Sequence, residues 1–149
     1  MEATININGK DVKIILTADQ VKDIKKRSEK ITDRISDFYD ILSISGRTME
    51  SLLEGDNRPD QVARKQIELI AEVYNEGTVL NSLDTNQIKY FPWHKIDPTS
   101  GFGLSYLDCD LWSASAVVGP RLCFKEAGLA TDAGKKFIEI YARYYQTKK

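Results

Sequence analysis

Asn8-Gly9 stands between two short stretches in which apolar and polar residues alternate, and it constrains its surroundings more tightly than any other feature of the chain. A two-residue type I′ turn needs φ > 0 at both central positions, which asparagine and glycine accept at little cost. Residues 3–16 therefore read as an antiparallel β-hairpin with Ile5 opposite Val12. On that register Ile5, Ile7, Val12, Ile14 and Leu16 share one face, while Thr4, Asn6, Asp11 and Lys13 share the other. A lone hairpin is marginally stable, so its apolar face needs cover, and the segment that follows is the nearest source.

That segment opens on Thr17, with Gln20 completing a capping-box pattern. Val21, Ile24, Ile31, Ile35, Phe38 and Leu42 then recur at helical spacing, with Ser28 in the gap and Lys25, Lys26, Arg27, Glu29 and Lys30 on the other side. The pattern predicts an amphipathic helix lying on its own core, with a break near residues 32–36 where Ser36 could cap a second helix. The same six residues also fit the seam of a short coiled coil, and so a homodimer. Ser45-Gly46 ends this region, and a brief helix is expected over residues 48–54. Asn57 is a cap candidate for the next helix and Pro59 suits its first turn. Val62, Ile67, Ile70, Val73 and Tyr74 form its apolar stripe, and Gly77 stops it. Residues 78–88 are a polar connection, which divides the chain into a hairpin-plus-helical region, 1–77, and a sheet-plus-helix module, 78–149, the two forming separate units or one compact domain.

From Lys89 the texture changes. The run KYFPWHKID over Lys89–Asp97 is aromatic and strand-like, but Pro92 has no N–H for a ladder and belongs at an edge or bulge. Residues 98–103 are turn-rich. Residues 104–112 alternate as a strand with one bulge, since Leu104 and Tyr106 point one way and Leu107, Cys109 and Leu111 the other. A further strand is expected over 117–119 and 121–125, interrupted by Pro120. A final helix is expected over 126–145, where Ala130, Ala133, Phe137, Ile140, Tyr141 and Tyr144 recur at helical spacing and Gly134 implies close approach to the sheet. The fold class is thus α+β: an N-terminal hairpin, a helical middle and a three- to four-stranded antiparallel sheet packed against a C-terminal helix.

The 149 residues suffice to bury a core without disulfides or metal. A formal net charge of −1 provides no global basic field to draw in nucleic acid or anionic lipid. The start carries no apolar run of the signal-peptide kind, and no run is long enough to span a bilayer. Cys109 and Cys123 make no disulfide framework and suit small buried hydrophobes, so a reducing, cytoplasmic setting is expected.

Five stretches carry a resemblance: Tyr74-Asn75-Glu76-Gly77, Lys89-Tyr90-Phe91-Pro92-Trp93, Ser100-Gly101-Phe102-Gly103, Val118-Gly119-Pro120-Arg121-Leu122-Cys123-Phe124-Lys125 and Ala133-Gly134-Lys135-Lys136-Phe137. In this order and at similar separations they resemble a group of small uncharacterised proteins of phages and prophages of Bacteroidetes-type bacteria. The likeness covers residues 74–145, about half of the chain. Residues 33–47 are similar to the short helix preceding this module in the group, and the N-terminal hairpin is an addition. This chain departs at Pro120, where the group usually has Ser, at His94, where it has an aromatic, and at Glu126, where it has a Ser helix cap. The resemblance implies a phage-linked origin and the sheet-then-helix order; it implies no reaction.

No motif commits the chain to chemistry. His94 is the single histidine, and without a local nucleophile motif it reads as a packing or polar residue. His94, Cys109 and Cys123, with Asp108 or Asp110, lack the close ligand pairs of a zinc site, so neither metal nor cofactor is expected. Gly101-Phe102-Gly103 and Gly119-Pro120-Arg121 lack phosphate-loop spacing. Lys89, Tyr90, Phe91, Trp93, Lys95, Trp112, Arg121 and Lys125 form an aromatic and basic set. Its rings are expected to face inward, Phe91, Trp93, Trp112 and Phe124 building the core between sheet and helix. The expectation is a non-catalytic phage-type accessory or protein-interaction module. Nucleic-acid binding through the aromatic strands is the alternative, and an enzyme has least support. Any binding site is expected at Tyr90, Trp93, Trp112, Arg121 and Lys125.

Overall fold

The computed structural model describes residues 2–55, 58–97, 103–112 and 119–145. It is a mixed α and β structure with two compact units, residues 1–34 and residues 35–149. The polar connection over 78–88 lies inside the second unit, where helices from both sides of it pack together.

In the first unit β1 (Glu2–Ile7) pairs antiparallel with β2 (Lys10–Ile15), Ile5 opposite Val12. Asn8 and Gly9 adopt φ of 52° and 80°, the turn their chemistry allows. Helix α1 (Ala18–Ser28) opens on the expected capping box: Gln20 N–H donates to Thr17 Oγ1, and Thr17 N–H to Gln20 Oε1. It buries none of its residues. Glu29 is extended, and the short α2 (Ile31–Arg34) follows. In the second unit α3 (Phe38–Ser45) starts on Asp37 rather than Ser36. Asp37 Oδ1 accepts from the N–H groups of Tyr39 and Asp40, whereas Ser36 contributes only its own N–H, to Asp40 Oδ2. A carboxylate two residues before the first free amides outcompetes a hydroxyl one residue further off. The stripe Val21, Ile24, Ile31, Ile35, Phe38 and Leu42 is consequently spread over three helices and the break between α2 and α3, where Ile35 lies, and is not one seam. Ile31, Ile35 and Leu42 are buried and Ile24 is exposed.

Helix α4 (Met49–Leu53) is capped by Thr48. Helix α5 (Pro59–Tyr74) carries the core of the second unit: Ala63, Ile67, Leu69, Ile70 and Tyr74 are essentially inaccessible. Pro59 occupies its first turn and Arg58 its cap position; the cap candidate Asn57 lies outside the described residues. Glu76 and Gly77 both take positive φ, 49° and 82°, and turn the chain away from α5.

β3 (Lys89–Asp97) pairs antiparallel with β4 (Gly103–Trp112). Trp93 faces Asp108 and His94 faces Tyr106, so Leu107 is the extra residue of the expected bulge. Pro92, which has no N–H to give, pairs just before that shift. The larger sheet is a correction: the described residues of this unit hold two strands, not three or four. The expected strand at 121–125 is a 3₁₀ turn (Pro120–Leu122) followed by a single bridge, in which Tyr90 and Phe124 exchange N–H to O=C bonds of 2.9 and 2.7 Å. Proline at the head of the segment favours turn over ladder. Residues 98–102 and 113–118, with part of the expected loop and strand, lie outside the described residues.

The expected single C-terminal helix is two, α6 (Ala127–Lys136) and α7 (Ile138–Tyr145). Phe137 leaves helical geometry between them, and its buried ring meets that of Tyr74 edge-on at 6.3 Å. Glu126 caps α6 by position alone, with no side-chain bond. α6 lies against β3 and β4, and α7 against α5. No described helix is long and apolar enough to cross a membrane.

Candidate binding site

β3 separates two kinds of side chain. Pro92 and His94 turn inward and are buried. The His94 ring lies 4.7 Å from that of Tyr141, and its Nε2 donates to the Gly134 carbonyl at 3.1 Å. That carbonyl belongs to the last turn of α6, where intrahelical donors run out. Burial holds the His94 pKa below its ordinary value, keeping the ring neutral. Alternation turns Phe91 and Trp93 to the opposite face. Trp93 is 54 % exposed and Phe91 half-buried, whereas Phe124 is fully buried. The expectation that Trp93 closes the core is therefore overturned: with its neighbours committed to α6 and α7, the period of the strand leaves it outside.

Along this part of β3 lies an open pocket of about 230 Å³. Phe91, Pro92 and Trp93 form one side, Gly119 and Leu122 a second, and Ile67 of α5 with Tyr141, Tyr144 and Tyr145 of α7 the rest. Tyr145 is 47 % exposed, and its ring centroid lies 5.2 Å from that of Tyr144. Tyr141 is buried, and its hydroxyl has no hydrogen-bond partner among the described residues. Burial raises the pKa of Tyr141 and of Tyr145, so both phenols stay protonated at neutral pH. The pocket is thus ring-lined, with no charged group among the described residues of its wall. The cross-strand partners of Phe91 and Trp93 are acidic: Asp110 and Asp108, both exposed.

Of the residues expected to bind, only Trp93 lines this pocket. Tyr90 is half-buried, with its backbone bridged to Phe124. Trp112 pairs with Lys89 in the backbone register, and its side chain lies outside the described part of the structure. Lys125 donates its N–H to Asn75 Oδ1 and its Nζ lies 3.6 Å from Glu76. Lys89 is not part of a basic face: it is fully buried and its Nζ donates to the carbonyls of Asp84 and Gln87. Arg121 is exposed and lines a separate, polar groove of about 450 Å³ beside α5. There Arg47 pairs with Glu72, and Lys65 holds the carbonyls of Leu52 and Glu54, so the groove's charges largely answer one another. Helical spacing alone puts Tyr141 and Tyr144 in the core stripe of the last helix; their place in a pocket follows only from where Phe91 and Trp93 sit. The described residues hold no cluster of three or more histidine, cysteine, aspartate or glutamate side chains able to take a metal ion. Cys123 is buried and Cys109 half-buried, and the two are not joined by a disulfide. Comparison of the chain with models of protein families, with curated proteins and with solved structures finds no match.

Proposed function

We propose that this chain is a non-catalytic accessory module of phage type, working in the cytoplasm, that binds a protein partner through the ring-lined pocket beside β3. The observation carrying this reading is Trp93, half exposed at a pocket whose other walls are Phe91, Tyr141, Tyr144 and Tyr145. Exposed tryptophan and tyrosine rings are the usual anchors of interfaces, because they bury much area for few rotatable bonds. The phage setting rests on the resemblance of residues 74–145. Absence of a reaction is argued from the site: its single histidine is buried and committed to a backbone carbonyl, remote in role from any nucleophile. Nucleic-acid binding is less favoured, since Asp108 and Asp110 stand beside the rings where phosphates would have to run. A homodimer through Val21, Ile24, Ile31, Ile35, Phe38 and Leu42 is also less favoured, since Ile31, Ile35 and Leu42 are already buried in one chain. Light scattering should report a monomer.

A random peptide library displayed and selected on the full chain tests the main reading. We expect enriched peptides whose affinity falls about tenfold or more in Trp93→Ala, the loss typical of an interface anchor. Selection of no peptide, or of peptides indifferent to Trp93, would overturn it.

A further inference from the structure

The rings and the carboxylates next to them point to the same sign of ligand. Phe91 and Trp93 lie on one face of the β3–β4 hairpin, and the residues directly across from them on β4 are Asp110 and Asp108. Directly opposed residues have Cβ atoms about 5 Å apart, so each of the two rings has a carboxylate as its cross-strand neighbour. Asp108 and Asp110 each use one oxygen, Oδ1, to accept the N–H of the following residue, which fixes the carboxylate close to the strand. Both residues are exposed. The faces of aromatic rings carry negative quadrupole charge and attract cations. Two anionic neighbours add to that attraction, whereas they would repel phosphate and would be indifferent to an uncharged apolar group. Lys95 shares this face two positions beyond Trp93, past the register shift and opposite Ser105. Among the described residues that form the pocket wall there is no lysine or arginine.

Building on the reading of the chain as a protein-binding module, we propose that the group the pocket takes is a cationic side chain of the partner, an arginine or a methylated lysine, held against the rings of Trp93 and Phe91, with Asp108 and Asp110, the carboxylates across the hairpin from them, as its counter-charges. The size of the pocket agrees: about 230 Å³ admits one such side chain and not a folded element. A diffuse cation needs no carboxylate in direct contact, which matches a wall of rings with its anions one strand away.

The test titrates the full chain with three short peptides, identical except at one central residue: arginine, trimethyl-lysine, or the neutral isostere of trimethyl-lysine in which carbon replaces the ammonium nitrogen. A twenty-nucleotide oligothymidylate is the fourth probe, and the heat of binding, followed by titration calorimetry, is the readout, because Trp93→Ala removes the fluorophore at the pocket. The cationic peptides should bind about tenfold more tightly than the neutral one, the scale of a desolvated cation–π contact. Trp93→Ala should erase that difference, and the double variant Asp108→Asn, Asp110→Asn should narrow it about threefold while leaving the neutral peptide unchanged. Asparagine keeps the side-chain oxygen that accepts the next N–H, so the hairpin is preserved. Equal or tighter binding of the neutral peptide would overturn the cation assignment and leave the protein-binding reading standing. Failure of all three peptides, with neutral sequences enriched in the display selection, would do the same. Salt-dependent binding of the oligothymidylate alone would overturn both.

Discussion

Asn75 is a residue whose role exceeds its size. It sits just past α5, 5 % exposed, with its Nδ2 donating to the Cys123 carbonyl at 2.9 Å and its Oδ1 accepting the Lys125 N–H at 2.8 Å. One amide thus ties the end of α5 to the segment that bridges β3. Asn75→Ala would leave a buried carbonyl and a buried N–H unpaired, at about 2–4 kcal/mol in all; chemical denaturation should show the lower midpoint with the slope unchanged. His94 gives a pH prediction. Its folded pKa is lowered by burial, so between that value and the ordinary histidine value of about 6.5 the unfolded chain binds the extra proton. Stability is therefore full above that ordinary value and falls as pH drops below it. Thermal melts from pH 7.5 to 5 should show the decline, and His94→Gln, which keeps an N–H to offer Gly134, should flatten it. The sequence marks Asn75 only as part of a recurrent stretch and His94 only as a packing residue. Neither partner, Cys123 nor Gly134, is close along the chain, so the bonds that give these residues meaning were not legible.

Elements were readable where their signals are local. The Asn8-Gly9 turn, the capping box at Thr17 and the stop at Gly77 each depend on a few neighbouring residues, and each forms as its chemistry requires. Gly77 and Gly128 make a matched pair for testing this. A Cβ at either would meet open space, but Gly77 has a φ of +82° whereas Gly128 lies in the first turn of α6 with no such strain. Gly77→Ala should cost about 1 kcal/mol through backbone conformation alone, and Gly128→Ala should stabilise by up to about 1 kcal/mol. Calorimetry should find the two melting temperatures shifted in opposite directions. Elements were misread where a distant contact decides. The split of α6 from α7 at Phe137, whose ring packs on Tyr74, belongs to that class, whereas the turn at Pro120–Leu122 in place of a strand follows from Pro120 itself.

At the scale of the molecule, the two units differ in what holds them. α1 buries no residue, and Ile5, Ile7 and Val12 of the hairpin remain 40 % exposed or more. The second unit is built on α5, with Tyr74 fully buried against Phe124 at 5.8 Å and its hydroxyl donating to Asp132 at 2.7 Å. Hydrogen exchange should therefore find β1, β2 and α1 opening with little free energy, while amides of α5 exchange only through global unfolding. Comparable protection in both would contradict this account.

What the sequence determined by itself was a set of local structures: the hairpin and its register, the capping box at Thr17, the bulge and the mixed α and β class. These follow from dihedral preferences and periodicity, which act over a few residues. What only the tertiary structure decided was which rings face out. Alternation along β3 fixes that Trp93 opposes His94 in direction, but the direction that is inward depends on where α6 and α7 dock. That choice, made by packing across forty residues of chain, turned an expected core tryptophan into the rim of a pocket.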